Sequence, residues 1–143
     1  MTARESSLRI IPAVHRAVHR LAVHIAALRR LRVTQGEAHI LAHLADTGPA
    51  TVAQLHRAFA HRRSTLTSIL DRLAARGLVR RDASERDRRT FVVSLTASGT
   101  TLGAETLREL RRIERQTRAQ VTVADLHGFE QVTRALERVL GKG

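Results

Sequence analysis

The chain has 143 residues, with 25 Lys+Arg against 13 Asp+Glu for a formal net charge of +12, and no cysteine. Its length suits one domain, residues 1–143, with a real core, and its positive excess draws it toward polyanions, of which nucleic acid is the usual one. The missing cysteine excludes disulfides, thiol redox sensing and thiolate metal sites, and the chain has neither a signal-peptide pattern nor an apolar run long enough to span a bilayer. The expected location is the cytoplasm, with no membrane partner, and residues 1–6 and 141–143 are expected to fray.

Leu8, Ile11, Val14, Val18, Leu21, Ile25 and Leu28 are spaced by three or four, the narrow stripe of a helix packed along another long helix. Pro12 suggests that the regular helix begins near that point. Thr34-Gln-Gly-Glu37 is a capping box that opens a second helix, ended at Gly48-Pro49. Thr51-Val-Ala-Gln54 is another, opening a short helix to about Phe59, and Ala60-His61 makes a tight turn. Leu66, Ile69, Leu70 and Leu73 give the next helix a buried face, and Gly77 supplies its left-handed C-terminal cap. Short helix, tight turn and longer helix form a helix-turn-helix.

Residues 79–82 and 90–95 read as a β-hairpin, with Phe91, Val93 and Leu95 on the packed face. Thr96 can cap a long helix carrying Leu102, Leu107, Leu110 and Ile113. Thr122-Val-Ala-Asp125 caps a last helix with Leu126, Phe129, Val132 and Leu136. The fold class is therefore mainly α with a small β-hairpin wing (α+β).

Function concentrates in residues 61–96. Residues 51–96 hold ten arginines against four acids, net +6, whereas residues 97–143 hold eight bases against six acids, net +2. A helix that begins with Arg62, Arg63, Ser64, Thr65, Thr67 and Ser68 has donors and acceptors suited to base edges in a major groove. The hairpin tip, Glu85-Arg86-Asp87-Arg88-Arg89, is a cationic finger suited to phosphates or a narrow minor groove. Asp87 is expected to orient Arg88 or Arg89 by a charge-assisted hydrogen bond. Asp71 is expected to brace the helix or wing.

Gly77-Leu78-Val79-Arg80-Arg81, Asp87-Arg88-Arg89 and Val93-Ser-Leu-Thr96 with Gly99 stand in register over nearly the whole chain. Together they closely resemble the MarR family of bacterial winged helix-turn-helix transcriptional regulators. The resemblance implies a winged-helix core at about 34–96, flanked by N- and C-terminal dimerisation helices at about 8–30 and 97–140. It implies a homodimer with Ile11, Val14, Val18, Leu21, Leu126, Phe129 and Leu136 in the interface, a role that their apolar stripes suit independently. It also implies DNA contacts from Arg62, Arg63, Ser64, Thr65, Thr67, Ser68, Arg86, Asp87, Arg88 and Arg89, on a palindromic operator with half-sites about 10 bp apart. Arg62 stands where the family often has a capping serine, so His61 is the substitute cap to look for.

The expected function is sequence-specific transcriptional regulation, as a repressor released by an unidentified small-molecule effector. Arg16, His19, His39 and His43 are the candidate effector contacts, because the family's pocket lies near the second helix. The i,i+4 pairs His15/His19 and His39/His43 also leave open a metal-dependent sensor of the same fold, although no metal or other cofactor is assigned. An architectural protein indifferent to sequence is the other alternative, disfavoured by the hydroxyl-rich helix. An enzyme is not expected: no Gly-rich phosphate loop, cysteine nucleophile or H-E-x-x-H motif is present. With no Trp or Tyr, stacking platforms for single strands are missing too.

Overall fold

The structure, a computed structural model, describes residues 7–28 and 30–141; most of the terminal residues expected to fray lie outside them. In chain order the elements are α1 (Ile10–Ala27), α2 (Gln35–Thr47), β1 (Ala50–Thr51), α3 (Val52–Phe59), α4 (Arg63–Ala75), β2 (Val79–Ala83), β3 (Phe91–Leu95), α5 (Ala97–Arg118) and α6 (Val123–Leu140). Contacts gather these into two compact units, one up to Leu107 and one from Arg108 onward, with α5 beginning in the first and ending in the second.

The helix starts follow from side chains that satisfy backbone N–H groups otherwise left without partners. Thr34 Oγ1 accepts from the Glu37 N–H at 3.3 Å while the Glu37 carboxylate accepts from the Thr34 N–H at 3.1 Å. Thr51 and Gln54 repeat the exchange at α3, and Thr122 and Asp125 at α6. The two hydrogen bonds from Thr122 hold the Asp125 carboxyl below its ordinary range. Thr96 Oγ1 accepts from the Gly99 N–H at 3.0 Å at the start of α5. At the end of α4, Gly77 takes φ 68°. The Gly77 N–H then reaches the Ala74 carbonyl and the Leu78 N–H the Leu73 carbonyl, both at 2.9 Å, which closes the helix and turns the chain into β2.

The core of the first unit is built from Ile25, Leu31, Ile40, Leu41, Leu44, Leu55, Leu66, Leu70, Leu73 and Val93, all buried. The sheet has the antiparallel order β1-β3-β2, with Val79 opposite Leu95 and Ala83 opposite Phe91. A third strand therefore joins the expected hairpin, since Ala50 and Thr51 pair with Val93 and Val92. Two residues after Pro49 are too few to show an alternating pattern. Phe91 departs from expectation as well. It is 50% exposed, whereas Val93, two residues on, is fully buried. The Ala83–Phe91 pair is the last before the turn, so the packed face of β3 begins at Val93.

Candidate nucleic-acid interface

The apolar residues of α4 point one way: Leu66, Ile69, Leu70 and Leu73 are buried. With a period of 3.6 that leaves Arg63, Ser64, Thr65, Thr67 and Ser68 exposed over the first turn and a half. Ser64, Thr65 and Ser68 border a groove of about 510 Å³ whose other walls include Gly36, His61 and Arg72. Arg62 precedes the helix, and no side chain caps it there. His61 does not substitute as the cap; its ring stacks on Phe59 at 6.0 Å between centroids.

The wing turn is ordered by its own short side chains. The Ser84 N–H donates to the Thr90 carbonyl at 2.7 Å, and the Arg86 N–H to Ser84 Oγ at 3.3 Å. Asp87 Oδ1 accepts from the backbone N–H of Arg89 at 3.0 Å, and its other oxygen faces the Thr90 hydroxyl at 3.4 Å. This corrects the expected role of Asp87: it orders the backbone instead of aiming a guanidinium. An Asp in a tight turn competes best for the nearby N–H two residues on, because that bond needs no long side chain to be immobilised. Arg86, Arg88 and Arg89 are exposed, and no carboxylate pairs with their guanidinium groups among the described residues. Asp71 on α4 pairs with Arg81 on β2, bracing the hairpin against the helix and neutralising an acid on the helix surface.

Glu37, which reads in the sequence as half of a capping box, also anchors two arginines beside this surface. It is 4% exposed, and Arg72 Nε donates to its Oε1 at 3.1 Å while Arg76 Nη1 donates to its Oε2 at 3.3 Å. Both arginines belong to the α4 end of the structure, 35 and 39 positions away, so no local spacing signals the pairing.

The four candidate effector contacts fall into two groups. Arg16 and His19 are exposed on α1, where His19 stacks with His15 at 6.1 Å. His39 and His43 are half-buried on α2. His43 meets the edge of Phe59 at 5.3 Å, and Phe59 stacks on His61. Burial first, and the neighbouring His61 second, lower the pKa of His39. Among the described residues no three His, Asp or Glu side chains converge as metal ligands would, and no helix is long and apolar enough to cross a membrane.

Of the expected interface residues, Ile11 and Val18 are exposed on α1, and Val14 and Leu21 are half-buried. In the second unit Leu126 and Leu136 are half-buried, and Phe129 is 65% exposed. No residue of α6 is buried. Val121, Val123, Leu126 and Phe129 line a pocket of about 620 Å³ where α5 gives way to α6.

A model of the MarR family matches residues 33–91. The transcriptional repressor NicR of Pseudomonas putida is 42% identical over 62 residues, which is 43% of this chain and only 39% of that repressor's length. The solved structure of the transcription regulator MarR from Oenococcus oeni aligns with a TM-score of 0.82 at 17% identity, covering 91% of this chain and 99% of that one. BpsR of Bordetella bronchiseptica, whose structure concerns the mechanism by which 6-hydroxynicotinic acid regulates its DNA binding, aligns with a TM-score of 0.73 at 22% identity, covering 95% and 98%. These structural likenesses establish a winged-helix fold.

Proposed function

We propose that the chain, whose residues 33–91 match a model of the MarR family, is a MarR-family ligand-responsive transcriptional repressor binding a palindromic operator as a homodimer. The observation that carries this reading is the Asp71–Arg81 pair. It braces a wing whose tip arginines pair with no carboxylate among the described residues against a helix whose exposed start is hydroxyl-rich. A helix of hydroxyls and amphiphilic arginines can read base edges, while the wing cations neutralise phosphate or enter the minor groove. Arg62, Arg63, Ser64, Thr65, Thr67 and Ser68 are the assigned contacts of the helix, and Arg86, Arg88 and Arg89 those of the wing. Asp87 contributes by ordering the turn.

The exposed apolar residues of α1 and α6 support dimerisation, because two copies would cover surface that one leaves in water. For the effector we assign a small organic anion, with His39 and His43 on α2 and Arg16 and His19 on α1 as its candidate contacts. The regulation of BpsR by 6-hydroxynicotinic acid makes hydroxylated aromatic carboxylates the first class to try. The test is fluorescence anisotropy on a selected operator at physiological salt, titrated with that class of compound. Two protomers per operator, released by one of these acids, is the expected result. One protomer per operator would remove the dimer, and operator binding indifferent to every such acid would remove the assigned effector class.

A further inference from the structure

Ser68 is not a free hydroxyl on the surface of α4. Arg72 Nη1 donates to Ser68 Oγ at 2.9 Å, and Arg72 Nε donates to buried Glu37 at 3.1 Å. A buried carboxylate is tolerable only when its oxygens are paired. Here three donors reach it: Arg72, Arg76 and the Thr34 N–H. Arg76 Nη1 also donates to the Arg32 carbonyl at 2.7 Å, so the same anchor ties the α1–α2 connection to α4. An arginine held at Nε by a fixed carboxylate has little freedom in its guanidinium plane, and its Nη1 is then committed to Ser68.

That arrangement sets the polarity of Ser68. A serine hydroxyl has one proton to give and two lone pairs to receive. One lone pair is engaged by a cation, which polarises the O–H and leaves its proton as the stronger outward-facing group. On the DNA-reading interpretation given above, on which this inference rests, we propose that Ser68 determines specificity as a hydrogen-bond donor, with Glu37 and Arg72 as its positioning residues. A donor in the major groove is satisfied by guanine N7 or O6, adenine N7 or thymine O4, and is left unsatisfied by the amino group of cytosine. Ser68 therefore favours an acceptor-bearing base at one position in each half-site and disfavours cytosine there.

The experiment is selection from random DNA at physiological salt with the wild-type chain and with Ser68→Ala, Arg72→Gln and Glu37→Gln. Helical content by circular dichroism checks that each variant is folded. Ser68→Ala should flatten preference at one position per half-site by about fivefold, the value of one neutral hydrogen bond, and leave the other positions intact. That position should be an acceptor edge in the wild-type motif. Arg72→Gln should flatten the same position although Ser68 is still present, and Glu37→Gln should do so if it remains folded. A wild-type motif that Ser68→Ala leaves unchanged would overturn the assignment. So would flattening at a cytosine edge, or an Arg72→Gln variant that keeps full preference at the Ser68 position. If the wild-type chain selects no motif at all, the DNA-reading interpretation itself fails and this assignment falls with it.

Discussion

Gly99 stands so close to Leu78 that a Cβ on it would lie 1.8 Å from the Leu78 carbonyl oxygen. The same oxygen accepts from the Thr96 N–H at 3.1 Å, and the Thr96 hydroxyl donates to the Gly77 carbonyl at 2.6 Å. The glycine of the Thr-x-x-Gly junction is thus set by sterics: the first turn of α5 presses on the backbone that leaves α4. Gly99→Ala must push two backbones apart, and a loss of about 2–4 kcal/mol is expected. Urea denaturation followed by circular dichroism measures it. An unchanged midpoint would mean that the junction opens without cost.

At the wing, Arg86→Ala and Arg89→Ala should each weaken DNA binding without unfolding the chain, since both side chains are exposed and carry no ion pair among the described residues. Each removed phosphate contact should reduce the slope of log affinity against log salt by about 1. Anisotropy titrations between low and physiological salt give both quantities. If affinity and slope both stay unchanged in the two variants, the wing has no part in binding.

Phe129→Asp tests the dimer more cleanly than a substitution on α1. Phe129 is 65% exposed, so the charge adds little strain within one protomer, whereas Leu21 is half-buried and Leu21→Asp could disturb the fold itself. Burying an unpaired carboxylate in an apolar interface costs several kcal/mol. Sedimentation velocity should show the wild-type chain as a dimer and Phe129→Asp as a folded monomer. A variant that stays fully dimeric would place the interface elsewhere.

His39 makes stability sensitive to acid. Burial and the nearby His61 hold its folded pKa below the ordinary 6.5. Well above pH 6.5 neither the folded nor the unfolded chain protonates this ring, and it contributes no pH dependence. As the pH falls through 6.5 the unfolded chain takes up the proton first, so stability is lost until the folded ring also protonates. His39→Gln should shallow that loss below pH 6.5, measured as the denaturation midpoint against pH. Superimposable profiles for the two proteins would show that His39 is not the responsible group.

Much of this architecture is legible in the sequence because its determinants are local. Three capping boxes, Gly77 at a C-terminus and the stripe Leu66, Ile69, Leu70, Leu73 each fix an element within a few residues. What was not legible depends on contacts across the chain. β1 exists only because β3 lies beside it. Glu37 reads as a cap until Arg72 and Arg76 are seen folded onto it. Phe59 and His61 join His43 through a packing arrangement that no spacing announces. Phe91 shows the reverse limit, since alternation gave its face correctly but not where the packed part of that face begins.

On the proposed function, the chain reads a specific duplex sequence as a dimer. Selection of bound fragments from genomic DNA at physiological salt, where non-specific binding is weak, tests it most directly. Recovery of one inverted repeat with half-sites about 10 bp apart is the predicted result. Recovery of unrelated fragments with no shared motif would contradict it.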